Sequence, residues 1–66
     1  MQLTINGEPR TVPDADSVEA LLQHLALDPR AVVVELNRVI IRRPALASTT
    51  LVENDTVEIV HFVGGG

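Results

Sequence analysis

Three consecutive glycines, Gly64-Gly65-Gly66, close the 66-residue sequence and are the feature whose residue type and position point to chemistry. Without side chains such a run leaves a narrow backbone that another protein can approach closely. It ends in a carboxylate, which is a poor electrophile and must be activated before it reacts. An enzyme that formed an acyl-adenylate there would have to close tightly around the last residues, and glycine permits that. A bare triglycine equally suits a disordered tail, so the segment ahead of it matters. Over residues 56–63 a period of two puts Val57, Ile59 and His61 on one face and Glu58, Val60 and Phe62 on the other. Glu58 marks the solvent side. Val60 and Phe62, the single aromatic residue, are then exposed just upstream of the glycines as an apolar grip for a partner. A Phe62 folded back onto a neighbouring strand is the other reading of the same pattern.

Elsewhere the residues offer little catalysis. Cys, Lys, Tyr and Trp are all absent, and the carboxylates fall mostly beside expected turns, so no enzyme site of the chain's own is expected. His24 lies on the polar side of a helix and reads as solvated. His61 shares the parity of Val57 and Ile59 and reads as a satisfied residue at the sheet's end. Two isolated histidines make no metal site. Arg42-Arg43 is a basic pair of the usual solvated kind, although near the tail it offers positive charge to an acidic partner or a phosphate. Nine acidic against five basic residues give a net charge of −4, which argues against a nucleic-acid partner and favours visits to basic protein surfaces. The lack of cysteine excludes disulfides and thiolate zinc, making a reducing cytoplasm the expected location. Residues 1–5 lack a basic segment followed by an apolar run, and no stretch is long enough to span a bilayer, so a soluble, unprocessed chain is expected.

The elements that would position this end are short. Leu3-Thr4-Ile5 alternates, Asn6-Gly7 favours a tight turn, and Arg10-Thr11-Val12 resumes an extended run, which predicts a hairpin. Ser17 is an N-cap candidate, followed by Val18, Leu21, Leu22 and Leu25 at helical spacing; a helix over about 18–26 is predicted, ended by Asp28-Pro29. The apolar run 31–36 reads as a central strand, Asn37-Arg38 as a turn and 39–42 as a fourth strand stopped by Pro44. Residues 45–50 form a small-residue connection with room for one helical turn. Glu53-Asn54-Asp55 predicts a turn in which Asn takes positive φ, and 56–63 a last strand. The fold class is α+β, a small mixed sheet of four to five strands packed on one main helix.

Taken in order, Ile5-Asn6-Gly7-Glu8, Ser17 to Leu22, Asn37 to Arg43, and Asp55 to Val60 running into His61-Phe62-Val63-Gly64-Gly65-Gly66 resemble the ThiS family of sulfur carriers in thiamine biosynthesis. The resemblance spans essentially the whole chain. It implies a ubiquitin-like β-grasp domain over residues 1–63 with a flexible C-terminal glycine tail, 64–66. It further implies that Gly66 is adenylated by a ThiF-like adenylyltransferase using ATP and converted to a thiocarboxylate. Gly64 and Gly65 would enter the partner's active site, and Val60, Phe62 and Arg43 would form the partner interface. The sulfur would come from a sulfur-donating protein and pass to thiazole synthase, a ThiG-like partner. The carrier itself would bind no cofactor and be a monomer when free. Two positions depart from the family's pattern: Glu53-Asn54-Asp55 replaces Asp-Gly-Asp, and Ile41-Arg42-Arg43 replaces Val-Pro-Arg. A sulfur carrier for molybdopterin synthesis, usually longer, a ubiquitin-like modifier of lysines and a plain interaction domain are the alternatives.

Overall fold

The computed structural model describes residues 1–62. The last residue of the expected strand, Val63, and the tail Gly64–Gly66 lie outside the described residues. Five strands, β1 (Gln2–Ile5), β2 (Glu8–Thr11), β3 (Val32–Leu36), β4 (Val39–Ile41) and β5 (Thr56–His61), form one sheet in the order β2-β1-β5-β3-β4. The central pair β1–β5 is parallel and the other three pairings are antiparallel. One helix, α1 (Val18–His24), covers one face. This is the mixed sheet and single helix of a β-grasp fold.

The two hairpins are set by their turn residues. Asn6 (φ 51°) and Gly7 (φ 82°) join β1 to β2, and Asn37 (φ 50°) and Arg38 (φ 73°) join β3 to β4. Positive φ at both central positions gives the twist that two-residue hairpins require. Asn tolerates that region because its short polar side chain can bond locally. The first hairpin resumes at Glu8, two residues before the expected strand start, and Val12, just past β2, still exchanges backbone hydrogen bonds with Met1 while its side chain enters the core.

Leu3, Ile5, Val32, Val34, Val57 and Ile59 point from the sheet towards Val18, Leu21 and Leu22 of the helix, with Leu46 and Leu51 sealing the side. Burial of each such side chain contributes roughly 1.5–3 kcal/mol. Ser17 caps α1, its Oγ accepting from Ala20 N at 3.1 Å. Two further N–H groups of the first turn, those of Val18 and Glu19, donate to the carbonyls of Thr49 and Leu46. The irregular 43–51 connection is thereby tied to the helix start.

Two expectations need correcting here. The helix ends at His24 rather than Ala26, and Asp28-Pro29 is not what stops it. Ala26 takes φ 59°, its N–H donates to Gln23 O, and Leu27 N donates to Leu22 O. That pair of bonds is a Schellman stop, normally built on glycine. Asp28 instead caps a short 3₁₀ turn, Pro29–Ala31, that leads into β3. The helical turn expected within 45–50 lies earlier, at Arg43–Ala45, with Pro44 inside it, and β4 has already ended at Ile41. Proline suits the first turn of a helix, where its missing N–H costs nothing.

Candidate functional site: the last strand and its outer face

Strand β5 carries the chain from the middle of the sheet towards the glycines, so whatever fixes β5 fixes the point from which they leave. It pairs along five residues with β3, from Val32↔His61 to Leu36↔Val57, but on its other side it meets β1 over only Thr4↔Thr56 and Ile5↔Val57. Beyond Ile5 the chain turns away. There the amide of Asn6 stands in for a strand: its Oδ1 accepts from Ile59 N at 2.7 Å and its Nδ2 donates to Ile59 O at 3.1 Å. At the opposite end Asn37 does the same from the other hairpin, its Oδ1 accepting from Thr56 N at 3.0 Å while its Nδ2 donates to Asp55 Oδ1 at 3.0 Å. Asp55 is the one buried charged residue among those described, and its Oδ2 accepts from Val52 N at 2.9 Å. A buried carboxylate needs such partners. Asn54, at φ 72°, makes the turn that delivers it.

The predicted alternation of β5 holds. Val57 and Ile59 are buried, while Val60 is 60% and Phe62 53% exposed. Phe62 does not fold back onto the core, although its N–H still donates to Ala31 O at 3.2 Å. His61 departs from expectation: it shares the inward side of Ile59 yet is exposed, because the core ends before it. Its strand neighbour Val32 is the last buried residue at that end.

Cross-strand register adds residues that the sequence reading missed. Val33 faces Val60, and Ile40 faces Glu35, so the outer sheet surface carries Val33, Ile40, Val60 and Phe62, all exposed. In the middle of this apolar surface Glu35 stands directly opposite Glu58. Among the described residues neither forms an ion pair. Like charges placed opposite each other weaken a sheet, so this face is not arranged for the stability of the free domain.

Arg43 falls in the 3₁₀ turn after β4, two strands away from β5, rather than beside Val60 and Phe62. Its charge reaches Asp28, whose carboxyl is held below its ordinary range chiefly by the hydrogen bond from the Arg30 side chain, with Arg43 a lesser cause. Gly64, Gly65 and Gly66 lie outside the described residues. His24 is exposed, as expected for a solvated residue. Among the described residues no group of three or more metal-ligating side chains occurs, and no helix is long and apolar enough to cross a membrane.

This arrangement of strands has close counterparts. A crystal structure of the thiamine biosynthesis protein ThiS from Geobacter metallireducens superimposes with a TM-score of 0.84, at 42% identity and with both chains fully covered. The sequence model of the ThiS family matches residues 3–66. The chain belongs to the ThiS family. Among individual members, the sulfur carrier protein ThiS of Bacillus subtilis is 37% identical over 65 residues, which span 97% of this chain and 98% of that one. The same 66 residues also match part of a thiazole synthase of Paramagnetospirillum magneticum, at 44% identity. In that case, and in a thiazole synthase of Magnetococcus marinus, the chain spans only 20% of the relative's length. A sequence of this kind therefore occurs over nearly the whole of one relative and over only a fifth of others. Both departures from the family's pattern fit this fold: Asn54 supplies the positive φ that glycine would, and Arg42, just past β4, takes an extended backbone (φ −73°, ψ 152°) that proline also adopts.

Proposed function

We propose that the protein is a sulfur carrier of thiamine biosynthesis that acts through the carboxyl group of Gly66. A ThiF-like adenylyltransferase joins that carboxylate to the α-phosphate of ATP with loss of pyrophosphate. Hydrosulfide released by a sulfur-donating protein then attacks the acyl carbon, forming the C–S bond as AMP departs with the displaced oxygen. The resulting thiocarboxylate passes its sulfur to thiazole synthase. The occurrence of a segment like this one inside two thiazole synthases supports that enzyme as the acceptor.

The single observation that carries the reading is the apolar pair Val60 and Phe62, exposed immediately ahead of the glycines on a strand clamped from both sides. An adenylating enzyme must recognise the carrier by something other than glycine, and this face is adjacent to the reacting end. The opposed Glu35 and Glu58 and the net charge of −4 favour an enzyme whose docking surface is basic. Gly64 and Gly65 give the enzyme the slim approach it needs, and the chain works in the cytoplasm, where ATP and thiol donors are available.

Intact mass of the protein, incubated with the adenylyltransferase of its host, ATP and a sulfur donor, tests the reading. A mass gain equal to one sulfur-for-oxygen exchange, lost when Gly66 is deleted, is expected. Persistence of the unmodified mass with all components present would leave an interaction domain as the better description. Conjugates to lysine would make it a modifier instead.

A further inference from the structure

On the side of the sheet opposite Val60 and Phe62 the packing leaves a hollow beside the buried residues Ile5 and Ile59. The Schellman stop at Ala26 turns the chain there, and Leu25 and Leu27 on either side of it pack against the core without filling the space beside Ile5 and Ile59. What remains is a pocket of about 230 Å³ with an aliphatic floor of Ile5, Leu25, Leu27 and Ile59 and a polar rim that includes Arg10 and His61. Arg10 reaches it because it pairs with Leu3, whose side chain points to the helix side. Among the described residues, neither Arg10 nor His61 forms an ion pair. At this opening a guanidinium and an imidazole, both without an acidic partner among the described residues, stand beside aliphatic side chains.

We infer that this pocket is a second docking point, which takes an aliphatic side chain of the activating adenylyltransferase carried next to an aspartate or glutamate. The inference rests on the carrier reading above. Size selects a side chain over a metabolite, since small-molecule sites commonly occupy about 300–1,000 Å³ and bury most of their ligand. Charge selects the neighbour: the guanidinium of Arg10 matches a carboxylate in a two-pronged geometry. Position supplies the reason for such a site. His61 follows Val60 and precedes Phe62, so a partner that fills the pocket and covers the outer face holds the last strand from both sides, three residues before Gly64. Contacts on both faces fix the end of the strand relative to the enzyme and so deliver its terminal atoms to a defined point.

The test titrates the full chain into the host's adenylyltransferase by calorimetry, comparing Arg10→Glu, Val60→Asp, the double variant, and Arg38→Glu. Arg38 lies in the β3–β4 turn at the far end of the sheet, and its reversal makes the same change in net charge. Arg10→Glu is expected to weaken binding about tenfold or more and to combine multiplicatively with Val60→Asp, whereas Arg38→Glu stays within about twofold. Methyl-labelled carrier in the complex should show contacts from Leu25 and Leu27 methyls to aliphatic protons of the enzyme. Arg10→Glu binding like the unaltered chain, equal losses for Arg10→Glu and Arg38→Glu, or leucine methyls untouched by the enzyme would each overturn the pocket while leaving the carrier reading in place. A small carboxylate retained by the protein in native mass spectrometry and released by Arg10→Glu would also overturn it, in favour of a metabolite. Absence of binding by the unaltered chain would remove both readings together.

Discussion

Replacing Asn6 by alanine removes the clamp on β5 and should cost a large share of the domain's stability. Two hydrogen bonds are lost, those between the Asn6 amide and the N–H and C=O of Ile59. At about 0.5–1.5 kcal/mol net each, they account for about 1–3 kcal/mol. Alanine must also hold φ near 51°, where a Cβ without a compensating polar group adds about 1 kcal/mol. The sum, about 2–4 kcal/mol, compares with a total of about 3–10 kcal/mol for a chain of this length. Asn6→Gly relieves the backbone part and should be about 1 kcal/mol less harmful. Asn6→Asp keeps an acceptor for Ile59 N but turns a second carboxylate oxygen towards Ile59 O, so it should be at least as damaging as glycine. Urea unfolding followed by far-UV circular dichroism is the suitable assay, because the chain has neither Trp nor Tyr to report by fluorescence. A loss below about 1 kcal/mol for Asn6→Ala, or equal losses for alanine and glycine, would refute the clamp and the strain respectively.

Other outcomes follow from single contacts. Ala26→Gly should stabilise the protein by about 0.5–1 kcal/mol, read from the urea midpoint at unchanged slope, because it places the residue the Schellman stop prefers. Phe62→Ala should shift stability by no more than about 0.5 kcal/mol, since the ring is half-exposed, while weakening adenylyltransferase binding in calorimetry. Leu21→Ala, at a fully buried position, should cost about 2–5 kcal/mol, read as a fall in the urea midpoint by circular dichroism. Asp28 has a folded pKa below its ordinary 3.8, so its contribution is present above that value and is lost as pH falls through the folded one. Acid titrations of the parent and of Asp28→Asn should accordingly differ near neutrality and converge at the acid end.

The parts of the fold governed by local chemistry were legible. Asn6-Gly7 announced its hairpin, Ser17 its helix, and the alternation through Glu58 and Val60 correctly placed the exposed face of β5, because each signal lies within a few residues of its effect. The helix end was not legible: Ala26 stands where glycine would have given the stop away, and only the bonds to Leu22 and Gln23 reveal it. Features that depend on which strands lie side by side were hidden for a different reason. Glu35 meets Glu58, and Val33 meets Val60, through a register fixed by contacts more than twenty residues apart in sequence. Asn6 was read as a turn residue, and its side chain's second task, on Ile59, is equally remote. Arg10 and His61 lie about fifty residues apart and share a pocket only because β2, β1 and β5 lie side by side in the sheet.

That neighbourhood also orders events in time. The strand at the centre of the sheet is the last of the five to be synthesised, and its partners β1 and β3 cannot be joined without it. Contacts of such long sequence separation slow folding, and a growing chain holds its sheet open until β5 emerges. The glycine end and the complete docking face are therefore produced by the same late step. An unfolded carrier would present a tail with no face beside it, and under the function proposed above an activating enzyme that reads both would pass over chains that have not finished folding.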